Sequence, residues 1–171
     1  YIESVTVDID PQPLTVTKTV EPTKEYDGTV DAMENVDFTH IDTGINGETV
    51  TANLISAVYN SANANVDNFI TITYQLTADP ETDTDLANYS LDGKAVTGAE
   101  MSEKVDKVGD TKVGITPAPI TVDIKDQEKV YDGSVATPSQ SEWSVDEGKL
   151  YDVDDDGIKD DLGITLTVVN A

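Results

Sequence analysis

With 34 acidic residues against 10 lysines in 171 and a formal net charge of -24, the chain repels polyanions, so neither nucleic acid nor an anionic membrane surface is expected as a partner. The absence of cysteine excludes disulfides, thiolate metal sites and cysteine nucleophiles. No apolar run approaches the ~20 residues that span a bilayer, so no direct membrane insertion is expected. The start at Tyr1, with neither Met nor a signal segment, reads as a mature or excised chain.

The predicted elements are strands. Leu14, Val16 and Val20 alternate with Thr15, Thr17 and Thr19, which is the period of two of a half-buried strand. A short strand is expected over Val36 to Ile41. Val50, Ala52, Leu54 and Val58 are expected on one face of the next strand, and Ile70, Ile72, Tyr74 and Leu76 alternate with Thr71, Thr73, Gln75 and Thr77 in another. The polar stretch from Asp79 to Ala87 has neither period and reads as a loop or a single helical turn. Short strands follow at Tyr89 to Asp92 and Lys112 to Thr116, with turn chemistry at Asn46-Gly47 and Asp92-Gly93. Ile120, Val122 and Ile124 repeat the first strand, and Ile164, Leu166 and Val168 repeat the one around Val50.

That recurrence sets the organisation. Pro11-Gln12-Pro13-Leu14-Thr15-Val16 returns as Pro117-Ala118-Pro119-Ile120-Thr121-Val122 at an offset of 106, and Tyr26-Asp27-Gly28-Thr29 returns as Tyr131-Asp132-Gly133-Ser134 at an offset of 105. One complete unit is therefore expected over residues 11–116. Residues 1–10 read as the closing strand of a preceding unit or a linker, and 117–171 as the first part of a second unit. Proline at each junction biases the joints toward short, semi-rigid connections. The expected fold is all-β, with antiparallel sandwich-like (Ig-like) or β-grasp-like modules in tandem.

Taken together, Pro-x-Pro-Leu-Thr-Val, Tyr26-Asp27-Gly28-Thr29, Ala87-Asn88-Tyr89-Ser90-Leu91 and the closing Val113-Gly114-Ile115-Thr116-Pro117 resemble the YDG-type (MBG-related) repeat of bacterial cell-surface, adhesin-like proteins. The resemblance implies an extracellular stalk or adhesin segment at the cell surface or cell wall. It further implies neighbouring repeats of the same polypeptide as partners, and no catalytic residues.

Within the repeated element, Tyr26 and Tyr131 are expected to anchor a ring in the core, Asp27 and Asp132 to accept turn amides, and Gly28 and Gly133 to permit positive φ. The second unit adds an acidic insertion. Asp152, Asp154, Asp156, the Ile158 carbonyl and Asp160 follow the alternating spacing of a calcium loop, with Gly157 at the turn; the alternative is a solvated acidic turn. Gly163 stands where an EF-hand has its bidentate Glu. His40, the one histidine, cannot build a zinc site or a catalytic triad with redundancy. Trp143, near Tyr151, could form a platform for a host glycan or protein, or part of a core. Lys18 could enter a Lys-Asn isopeptide crosslink. The functions expected are a calcium-rigidified structural spacer, a glycan-binding or host-protein-binding module, or a filament subunit completed by strand exchange. No enzyme activity is expected.

Overall fold

A computed structural model of the chain describes residues 8–64, 66–124, 130, 132–134, 143–145 and 150. The fold is all-β. Its strands are β1 (Gln12–Pro13), β2 (Thr15–Val20), β3 (Thr23–Glu25), β4 (Val36–Asp42), β5 (Val50–Tyr59), β6 (Ile70–Ala78), β7 (Tyr89–Leu91), β8 (Lys94–Ala95), β9 (Glu100–Val105), β10 (Lys107–Val108), β11 (Thr111–Lys112), β12 (Gly114–Thr116), β13 (Val122–Ile124) and β14 (Trp143–Val145). Among the described residues the helical segments are two 3-10 turns, at Met33–Asn35 and Leu86–Asn88, the second at the end of the polar stretch where a loop or helical turn is expected.

Pairing distributes these strands over small sheets: β2 with β4, β5-β6-β9, β1-β7-β8, β3 with β12, β10 with β11, and β13 with β14. Six of the eight strand pairs among the described residues are antiparallel, as expected, and two are parallel, β1 with β7 and β3 with β12. Both join strands separated by most of the unit, and such long connections permit the parallel direction that a tight hairpin forbids. The core draws on residues from Leu14 to Ile115, with Ile70, Ile72 and Leu76 on the central strand β6 wholly shielded from solvent.

Two bulges set which side chains reach that core. Thr17 pairs with His40 and Lys18 with Phe38, so Thr39 is an extra residue on β4. Leu54 pairs with Tyr74 and Ser56 with Thr73, so Ile55 is extra on β5. An extra residue reverses the inward and outward parity of everything after it. Phe38 and Ile41 consequently both pack on the core, and so do Leu54, Ala57 and Tyr59. The expectation that Val58 shares a face with Val50, Ala52 and Leu54 is corrected for this reason: Val58 is 39% exposed, while Ala57 and Tyr59 are buried.

Lys18 takes an inward position on β2, where its ammonium lies 2.9 Å from a Glu103 carboxylate oxygen on β9. This ion pair ties the β2-β4 pair to the three-stranded sheet.

One pair of β13 and β14 falls at the repeat positions of a pair of β2 and β4, while the bulge beside it on β4 has no counterpart among the described residues. Ile124 of β13 pairs with Trp143 of β14, and Lys18 of β2 pairs with Phe38 of β4. The same offsets of 106 and 105 that relate the two sequences carry one pair onto the other.

Candidate functional site

The recurring Tyr-Asp-Gly element sits where the unit is closed. β3 leads into it, and β12 runs parallel to β3 with Gly114 opposite Thr23, Ile115 opposite Lys24 and Thr116 opposite Glu25. The ladder continues past the strand: the Gly114 amide donates to the Pro22 carbonyl at 2.9 Å, and the Tyr26 amide donates to the Thr116 carbonyl at 2.8 Å. The last strand before Pro117 thus rests against the segment that begins the turn. Tyr26 packs its ring against the core.

The turn itself is built by Asp27. Its Oδ1 accepts the Thr29 amide at 2.9 Å and the Thr29 hydroxyl at 2.9 Å, and Gly28 between them takes a φ of 77°. That left-handed backbone is open to glycine without a Cβ clash. Asp132 repeats the arrangement, accepting the Ser134 amide at 2.9 Å and the Ser134 hydroxyl at 2.8 Å, with Gly133 at a φ of 83°. Threonine and serine serve equally because only the hydroxyl is used.

A residue absent from the sequence expectations completes the site. Lys24 Nζ donates to Asp27 Oδ1 at 2.9 Å, to the Thr29 hydroxyl at 2.9 Å and to the Asp31 carbonyl at 2.8 Å, which uses all three ammonium protons. Its side chain is 13% exposed and its ammonium stands 5.6 Å from the centre of the Tyr59 ring. The signal for it is in the sequence: lysine precedes the tyrosine by two positions in both copies, as Lys24 and Lys129.

Burial of Asp27 works to raise its pKa. The hydrogen bonds from Lys24 and from the Thr29 amide and hydroxyl, with the Lys24 charge, outweigh it and hold the carboxyl below the ordinary 3.8. Tyr59 is pushed up, by burial and then by the nearby Asp27 charge, and its hydroxyl is buried without a hydrogen-bond partner among the described residues. A carboxylate held ionised beside a fully satisfied ammonium is a clamp. It does not favour amide formation, which needs a neutral amine and an uncharged electrophile. Asp31 extends the clamp by accepting the Met33 amide at 2.9 Å and bridging to Val58 of β5.

The sequence of the YDG domain matches residues 10–98, which is 89 of the 171 residues. The chain belongs to the YDG domain family. Comparison with curated proteins and with solved structures returned no match. The structural unit continues past the matched stretch of the YDG domain, since β9 completes the sheet of β6, and β12 supplies Ile115 to the core.

His40 lies exposed on β4. Lys18 meets a glutamate in place of the asparagine that a Lys-Asn crosslink requires. Trp143 stands at the β14 position that corresponds to Phe38, whose ring packs 4.8 Å from Tyr74 in the first unit. The calcium-loop residues Asp152, Asp154, Asp156, Ile158 and Asp160 lie outside the described residues, as does Tyr131. Among the described residues no group of three or more His, Asp or Glu is placed to share a metal ion, and no helix is long and apolar enough to cross a membrane.

Proposed function

We propose that this YDG chain is a non-catalytic structural spacer, a stalk segment of a bacterial surface protein in which units follow one another in tandem. The observation that carries this reading is the recurring turn: Asp132 to Ser134 reproduces Asp27 to Thr29, and one strand pair, Ile124 with Trp143, stands at the repeat positions of Lys18 and Phe38. Such repetition serves architecture, because nothing in the repeated set is a nucleophile or a base poised for chemistry. A second observation supports it. Ile9 occupies the place of Ile115 in the repeat, yet Ile9 is 94% exposed and Ile115 4%. Ile115 is buried by the β3 and core of its own unit; Ile9 is the matching part for a neighbouring one.

The test is labelling of intact source cells with antibody raised against this chain, before and after lysis. A surface stalk is labelled on intact cells; labelling that requires lysis overturns the reading. Calcium held by Asp152, Asp154, Asp156, the Ile158 carbonyl and Asp160 belongs to the same proposal as a means of stiffening the second unit. Millimolar calcium is then expected to raise the melting temperature and EDTA to lower it, and a melting curve indifferent to both removes calcium from the proposal.

A further inference from the structure

Asparagine followed by glycine occurs once in the chain, at Asn46-Gly47 in the loop between β4 and β5. The pair forms the middle of a turn. The Glu48 amide donates to the Ile45 carbonyl at 3.3 Å, and Gly47 takes a φ of 87° at the position where such a turn needs it. Both residues are exposed, and a Cβ placed on Gly47 would meet no atom within 4 Å. Among the described residues the Gly47 amide donates to no acceptor, and the Asn46 side chain has no hydrogen-bond partner. A backbone nitrogen and the side-chain amide before it are thus both unengaged, with no Cβ on the second residue to keep them apart.

Comparable positions in the chain are held. Asn60 is exposed and precedes the small Ser61, but its Oδ1 accepts the Phe69 amide at 2.7 Å and its Nδ2 donates to the Asp67 carbonyl at 3.4 Å. Asn68 is buried and donates to the Asn63 carbonyl at 3.1 Å. In the Asp27-Gly28 and Asp132-Gly133 steps the carboxylate oxygen is tied to the amide and hydroxyl two residues on. An ionised carboxylate is in addition a poorer electrophile than a neutral amide.

We propose that Asn46 deamidates spontaneously through a succinimide closed by Gly47, and that the isoaspartyl product frees Glu48 from Tyr89. Hydroxide takes the Gly47 amide proton, and the nitrogen attacks Asn46 Cγ. The N–Cγ bond forms, the Cγ–Nδ2 bond breaks, and Nδ2 leaves as ammonia with a proton from water, which returns the hydroxide. A second water then opens the ring. Addition at Cγ restores the backbone and leaves aspartate; addition at the main-chain carbonyl leaves isoaspartate, with the chain running through Cβ and Cγ. Nothing is oxidised or reduced, and water is the co-reactant.

Isoaspartate lengthens the backbone by one methylene inside the turn that Ile45 and Glu48 close. That turn is braced from within by the buried Thr43, whose hydroxyl lies 3.1 Å from the Ile45 carbonyl and 3.2 Å from the Glu48 carbonyl. Beyond it the Glu48 carboxylate accepts the hydroxyl of Tyr89, a buried residue of β7. A change at the exposed tip is therefore carried to a tyrosine of the core. The spacer reading neither needs nor predicts this chemistry.

The test is incubation of the full chain in warm, mildly alkaline buffer over days, followed by peptide mass spectrometry and by labelling with an isoaspartyl methyltransferase. Asn46 is expected to convert before any other asparagine, into two isomers that carry the mass gain of a carboxylate over an amide, of which one accepts the methyl label. Gly47→Ala, whose Cβ crowds the attacking nitrogen and meets nothing else, is expected to slow the conversion about tenfold or more. Asn46→Asp carries the same new charge without the added methylene, and the isoaspartyl fraction is expected to melt below it. Asn60 or another asparagine converting first, no methyl-accepting product at Asn46, or Gly47→Ala converting at the parent's rate each overturn the succinimide. An isoaspartyl fraction that melts together with Asn46→Asp overturns the release of Glu48.

Discussion

The two units place the same backbone devices at the same positions and differ in what surrounds them. Asp27 and Asp132 accept matching amides and hydroxyls, and both following glycines take positive φ. Lys18, however, is an inward ion-pair partner in the first unit, and its counterpart in the second is Ile124. The turn is local chemistry, fixed by four consecutive residues, and survives repetition unchanged. The anchoring of the turn reaches further: Lys24 donates across it to the Asp31 carbonyl and lies over Tyr59, on a different strand.

Removing the long-range support should have the largest effect. Tyr59 is 2% exposed. Tyr59→Ala is expected to cost about 3–5 kcal/mol by cavity formation, read by denaturant unfolding, while the local Asp27 to Thr29 turn keeps its NMR signature. If the turn signature is lost along with the core, the separation into local and long-range parts is wrong.

The next effect sharpens the difference between Lys18 and Ile124. Glu103→Val alone leaves Lys18 half-buried and unpaired and is expected to cost about 1–3 kcal/mol. Adding Lys18→Ile, the residue type of the second unit, should recover most of that loss, because an ion pair replaced on both sides by packed apolar groups is close to neutral. A double variant no more stable than the single one would show that the pair does more than fill its place. Smaller still is the glycine test. Gly28→Ala and Gly133→Ala are each expected to cost about 1 kcal/mol, read by urea unfolding, since both need the left-handed backbone. A response at one and not the other breaks the equivalence of the turns.

These same residues mark what the sequence makes legible. Alternation revealed β2, β5 and β6, and the Asp92-Gly93 pair revealed its hairpin, where Asp92 and Gly93 take φ of 51° and 74°. The repeat offsets revealed the second turn, which returns in the hydrogen bonds of Asp132 to Ser134. β9 was hidden, because Glu103 interrupts the inward series of Met101 and Val105, and its compensating lysine is 85 residues away. The bulges at Thr39 and Ile55 were hidden because a single extra residue leaves no mark on composition, and the one at Ile55 moved Val58 outward. Lys24 was legible in principle from its recurrence as Lys129, but its role depends on an acceptor that is a backbone carbonyl, which no residue type announces.

The gentlest probe of the clamp is pH. The folded pKa of Asp27 lies below the ordinary 3.8, so the folded state binds its proton less readily than the unfolded chain. Its contribution to stability is therefore fully present above 3.8 and is lost as pH falls from there through the lower folded value. Asp27 is 47% exposed, so solvent screening keeps the effect small. Asp27→Asn keeps an acceptor for the Thr29 amide but loses the charge that Lys24 holds. The variant is expected to be less stable than the parent at neutral pH and to approach it in acid, with the difference closing below 3.8, in paired thermal melts across that range. A gap that stays constant with pH would mean that Asp27 acts only as a turn acceptor. The first unit's turn would then be held no differently from a purely local one, and Lys24 would owe its position to the Asp31 carbonyl and the Tyr59 ring.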